Sequence, residues 1–175
     1  MTSAEEPLDT ADWMWVLHRP CPQCGTDARD YSPASIPALL AAAVPRWQVV
    51  LRREDVVRRP DPGTWSALEY VAHIRDVCLV FGERLRRILT EDEPEFPDWD
   101  PDDAATQGGY RDLDPPAVAQ ELWRAANDLA KEFDDVAPEQ WQRRGTRSDG
   151  AVFTVEGLAQ YFAHEVNHHL HDVDG

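Results

Sequence analysis

The chain has 175 residues, 17 of them Lys or Arg and 33 Asp or Glu, for a formal net charge of −16. That length suits one domain with a real core, while so acidic a surface repels phosphate backbones and excludes nucleic acid as a natural partner. No apolar run reaches the ~18 residues of a membrane-spanning helix and no secretory signal opens the chain, so a soluble, cytoplasmic protein that does not bind membranes is expected.

Residues 1–33 contain Pro7, Pro20, Pro22 and Pro33, and no helical period survives long among them. They read as an extended N-terminal arm, with a short turn near Asp12 to Leu17 and with Trp13 and Trp15 placed to pin the arm onto the rest. Within it lies His18-Arg-Pro-Cys21-Pro-Gln-Cys24-Gly25. Cys-Pro-x-Cys-Gly resembles half of a zinc knuckle, Gly25 allowing the tight turn. His18 is a possible third ligand and His169 or His171 a possible fourth; redox thiols and simple packing are the other readings of the pair. Three cysteines in all argue against a disulfide framework.

Residues 34–175 read as a helical bundle. The first helix spans about 35–55, with Leu39, Leu40, Ala43, Trp47, Val50 and Leu51 as its inward stripe, Pro37 in its first turn and Pro45 inside, where a kink is expected. Arg58 to Gly63 is a break. The second helix runs from about Ser66 to Leu89. Ser66 and Glu69 form a capping box, and His73 lies within the stripe of Leu68, Val71, Ala72, Val77, Cys78, Phe81, Leu85 and Ile88. A long acidic segment, 91–113, follows. Its prolines, Pro94, Pro97 and Pro101, argue against regular helix, while Phe96, Trp99 and Tyr110 can anchor it. A link of this length can cross the whole bundle, so the second and third helices can run parallel, up-down-down-up. The third helix starts at Pro115 with Asp114 as cap and ends near Asp135; Val118, Leu122, Trp123, Ala126, Leu129 and Phe133 are its expected core face. Gly145 to Gly150 reads as a turn between Arg143, Arg144 and Arg147, which are either an anion clamp or a solubilising cluster.

The last helix begins at Thr154 and carries four of the six histidines: His164, His168, His169 and His171. Residues four apart share a face, about 6 Å apart along the axis, so His164 and His168 can share a metal ion; His168 with His171 is an alternative pair, and His169 is expected at the surface. His73 is the best candidate for a third ligand, with Asp76 one turn on to fix a tautomer. Glu165 lies about 100° round the helix from His164, which makes it a doubtful base.

The pattern Trp65-Ser66-x-x-Glu69-x-x-x-His73-x-x-Asp76, followed some ninety residues later by His164-x-x-x-His168, resembles the DinB-like superfamily, a group that includes mycothiol-dependent maleylpyruvate isomerases and related thiol S-transferases. The resemblance covers about residues 34–173. It implies an all-α four-helix bundle with a divalent metal on His73, His164 and His168. A three-histidine ion with open positions suits zinc or nickel and can lower the pKa of a bound thiol. Metal-dependent S-transfer from a low-molecular-weight thiol such as mycothiol to an electrophile is therefore the leading expectation. Metal-assisted hydrolysis is the second, and a non-catalytic metal-binding protein, monomeric or homodimeric, the third.

Overall fold

The computed structural model describes residues 13–175; Pro7 and Asp12 of the expected arm lie outside the described residues. The arm enters as a 3-10 helix over Trp13–Leu17, and the chain then forms α1 (Ile36–Val50), α2 (Ala67–Thr90), a short α3 (Pro101–Gln107), α4 (Pro115–Asp134) and α5 (Val155–Asp172). No described helix is long and apolar enough to cross a membrane.

The long helices start where side chains can satisfy their free N–H groups. Ser66 accepts from Glu69 N–H while the Glu69 carboxylate accepts from Ser66 N–H, the reciprocal box expected of that pair. Asp114 accepts from Ala117 N–H, and Thr154 from Gly157 N–H.

Helix directions can be read from ion pairs. Arg75 binds Glu121 and, three turns later, Arg86 binds Glu132, at the same sequence offset; α2 and α4 therefore run parallel. Along α2 from His73 to Phe81 the partners on α5 run backwards, from His169 to Phe162, so this pair is antiparallel. Arg46 at the end of α1 and Arg53 just beyond it donate to carbonyls of Gly175, Val173 and Asp174, so α1 and α5 point the same way. The order is up-down-down-up, made possible by the 91–113 crossover. α4 and α5 each pack on both α1 and α2, which leaves the consecutive helices α1 and α2 facing each other across the core. Trp47, Phe133 and Phe162, each about 1 % exposed or less, fill the space between them.

A three-stranded sheet closes the end where α5 begins: β1 (Glu95–Phe96) parallel to β2 (Arg144–Arg147), and β2 antiparallel to β3 (Val152–Thr154). A Cβ on Gly145 would stand 2.7 Å from the Phe96 ring, so only glycine lets the strands approach this closely over Ile88.

Several expectations differ from the structure for identifiable reasons. α1 stops at Val50, because Val56 turns inward and its carbonyl accepts Leu68 N–H, drawing the chain off the helix axis. Pro101 does not forbid helix: it occupies the first position of α3, where no N–H is needed, behind the Asp100 cap. Residues 144–147 are strand, paired on both edges. Trp123 is 52 % exposed, since Leu122, Ala126 and Leu129 already fill the inward stripe and Trp123 stands a residue's rotation away from it.

The Glu69 carboxylate is buried, which by itself raises its pKa, but Arg59 (2.9 and 2.5 Å) and the Ser66 N–H outweigh burial and hold it below the usual glutamate range. A lowered folded pKa stabilises the fold above the unfolded value, and that contribution disappears as pH falls through the folded value. Glu69→Gln should therefore destabilise the protein by about 2 kcal/mol at neutral pH. The gap from wild type in urea denaturation should narrow in acid.

Candidate functional site

α5 carries two pairs of metal-ligand side chains, each spaced one turn apart. Glu165 and His169 form one pair, and His164 and His168 the other. Successive residues are separated by about 100°, so the pairs look in different directions. The first faces α2, and the second faces the N-terminal arm.

On the α2 side, His73 (2 % exposed) meets Glu165 and His169. The Nε2 atoms of His73 and His169 each lie 3.4 Å from Glu165 Oε2, and the three ligand atoms are mutually within 4.8 Å. His169 Nδ1 lies 2.9 Å from Asp172 Oδ2 and its Nε2 is turned to the cluster, the placement by which a carboxylate orients a ligating imidazole. Burial raises the Glu165 pKa, but His169 and His73 outweigh it, and the carboxylate is held well below its usual range as an anion. The His73 ring stacks on Trp99 with centroids 5.4 Å apart and planes at 11°.

On the arm side, His164 and His168 meet Cys21 and Cys24. Burial pulls His164 down to about 4 and lowers His168 as well, so both rings are neutral at neutral pH. The three-histidine set of the sequence reading is thus divided. His164 and His168 come together as expected, but His73 stands in the other cluster, because α2 packs against the face of α5 one residue further on. His169, expected at the surface, is buried; Glu165, set aside as a doubtful base, lies between the two imidazoles. Their own one-turn spacing, with Asp172 three residues after His169, was the signal for them, and the neighbouring histidine pair masked it. Asp76, thought to orient a ring, instead accepts from the Tyr110 hydroxyl and from Arg75. His18 and His171 are exposed.

His73 and Glu165 of this cluster line a cleft of about 240 Å³ whose walls include Trp13, Phe81, Trp99, Arg84 and Arg147. Arg147 is engaged by Asp149 (2.9 and 2.6 Å) and Asp98 (3.4 Å). Arg84, 6 % exposed, forms no carboxylate ion pair among the described residues. It lies over the Phe81 and Phe96 rings and donates to the Pro97 carbonyl at 3.3 Å. Burial, with Arg147 nearby, lowers its pKa. Of the three arginines read as a clamp, Arg143 donates to the Ile88 and Glu91 carbonyls and Arg144 pairs with Glu93, so Arg147 alone reaches the cleft.

The α2-side cluster fits a divalent cation. Two imidazoles and a carboxylate are a known catalytic donor set. Ligand atoms about 2.1 Å from a shared ion at tetrahedral angles stand about 3.4 Å apart, which matches both nitrogen–oxygen separations and exceeds a good N–H···O hydrogen bond.

A bundle of this topology with imidazole and carboxylate donors meeting between α2 and α5 defines a class of helical proteins with a metal-type centre near one end. The chain belongs to the DinB superfamily, whose family model matches residues 6–173. Among curated proteins none matches it. Among solved structures it is similar to YfiT from Bacillus subtilis, described as "a probable metal-dependent hydrolase with an unusual four-helix bundle topology", with a TM-score of 0.63 and 21 % identity over 79 % of this chain and 78 % of that one. At that identity the likeness establishes the shared fold.

Asp172 Oδ2 also lies 3.7 Å from His168 Nε2, so one carboxylate stands behind an imidazole of each cluster. Asp172→Asn should weaken Zn²⁺ binding about 10- to 100-fold, read by competition with a chromophoric chelator, while the far-ultraviolet circular dichroism stays that of wild type.

Proposed function

We propose that the chain is a metal-dependent hydrolase of a small substrate bearing an anionic group, with His73, Glu165 and His169 as the ligands. The observation that carries this reading is that these three side chains converge, with His73 and Glu165 lining a cleft that also holds a buried arginine. Zinc suits the mixed imidazole–carboxylate set, and when bound it supplies Lewis acidity and lowers the pKa of water to near neutral.

The chain's own residues do the rest. Glu165 brings the negative charge that offsets a dication, and Asp172 holds the His169 tautomer. Arg84 has donors free to take a substrate carboxylate, and its partial desolvation strengthens such a contact. Trp99 and Trp13 exclude water from two sides of the cleft. The description of YfiT as a probable metal-dependent hydrolase is in keeping with this assignment.

The apolar part of the cleft, Val77, Phe81 and Trp99, favours a second reading, in which a low-molecular-weight thiol such as mycothiol is transferred to an electrophile. Added thiol separates the two. Zinc-loaded protein should hydrolyse members of an ester and amide panel without thiol, and Glu165→Gln should lower the rate at least about 100-fold. Arg84→Met should raise KM for carboxylate-bearing members about tenfold or more and leave neutral members little changed. Turnover of monochlorobimane only with mycothiol would establish the second reading instead. Rates in His73→Ala and Glu165→Gln equal to wild type in both assays would overturn both.

A further inference from the structure

The second cluster is absorbed by neither reaction. Cys21, Cys24, His164 and His168 present four ligand atoms mutually within 4.8 Å, and three of the four residues are buried. The two cysteines lie on a tight turn in which Gly25 N–H donates to the Cys21 carbonyl and Cys21 N–H to the Thr26 carbonyl. Gly25 takes φ +75°, a conformation open to glycine and strained for other residues. Burial raises the Cys24 thiol above its ordinary value, with hydrogen bonds from the Thr26 hydroxyl and N–H opposing it in part.

Two observations point to a missing partner. Both ring nitrogens of His164 are buried and without any hydrogen-bond partner among the described residues, an arrangement that is costly unless something else pairs with them. Cys21 Sγ lies 3.7 Å from His168 Nδ1. A sulfur about 2.3 Å and a nitrogen about 2.0 Å from one tetrahedral ion would stand about 3.5 Å apart. The His168 Nε2, on the far side of the ring, faces Asp172 at 3.7 Å, again with a carboxylate behind the imidazole.

We infer that Cys21, Cys24, His164 and His168 form a second, structural metal site for a soft or borderline divalent ion of the zinc type, separate from the cleft. Four protein ligands fill a tetrahedral shell, so the site is closed and bears no chemistry. Binding releases the two thiol protons to solvent, and two thiolates with two neutral imidazoles balance the dication, which suits a buried position. The ion fastens the arm to α5. Trp13, whose ring lies 5.2 Å from His164 and 5.0 Å from His168, also walls the cleft, so this clasp sets one side of the other site.

The test uses the full chain, purified under reductant and loaded with Zn²⁺ or Co²⁺. Elemental analysis should give two ions per chain for wild type and one for Cys21→Ser/Cys24→Ser. The Co²⁺ protein should show thiolate-to-cobalt charge-transfer absorption that disappears in that variant and persists in His73→Ala/Glu165→Gln, which retains one ion. In wild type, Zn²⁺ should shield the half-exposed Cys24 from alkylation, and chelation should remove the shield. The inference is overturned if cobalt produces no thiolate band, or if Cys24 is alkylated alike with and without chelator; neither readout needs a variant to fold. Loss of hydrolysis with the thiolate band intact would count against the function proposed above alone.

Discussion

The rotation of one helix decides how this molecule is built. An α-helix turns about 100° per residue, and α5 lies between α2 on one side and the N-terminal arm on the other. Residues 164 and 168 therefore look toward the arm, and 165 and 169 toward α2. Leu158, Phe162 and Val166 fix that angle, since all three are fully buried in the core. Both clusters depend on those apolar residues holding α5 at one angular setting.

Much of this was legible in the chain. Ser66 with Glu69, Asp114 and Thr154 mark helix starts by a local mechanism, a side-chain oxygen meeting a free N–H, and such mechanisms survive folding. The parallel course of α2 and α4 followed from the length of the crossover. The residue set of the site was less legible, because periodicity says which residues share a face and not which neighbour that face will meet. His164-x-x-x-His168 stands out in the sequence and masks Glu165-x-x-x-His169, displaced by a single position. Choosing between them requires knowing where α2 packs, which is a tertiary fact. The knuckle at Cys21 and Cys24 was visible as half a site, but its other half lies over 140 residues away. Trp123 is the converse case: an aromatic beside a well-formed stripe reads as core, although the stripe has no room for it.

The charge arrangement separates the two clusters as clearly as their position does. Glu165 leaves the α2-side set one negative charge short of balancing a dication, and that set lies beside the cleft. In the proposed second site, two thiolates and two neutral imidazoles would balance a dication and close its shell with four protein ligands. A residual positive charge at a cleft wall attracts anions and polarised oxygen; a neutral, sealed centre attracts nothing and serves to hold chain together. Arg84 on the same cleft adds to that preference for an anionic guest.

The shared carboxylate of Asp172 makes the final turn of α5 a junction. Because one group stands behind both His168 and His169, disturbance of that turn would reach both clusters, although they face directions about 100° apart round the helix. Fraying there would act as a common fuse: on the proposed assignments, the clasp on the arm and the cleft-side centre would lose the carboxylate behind their imidazoles in one event.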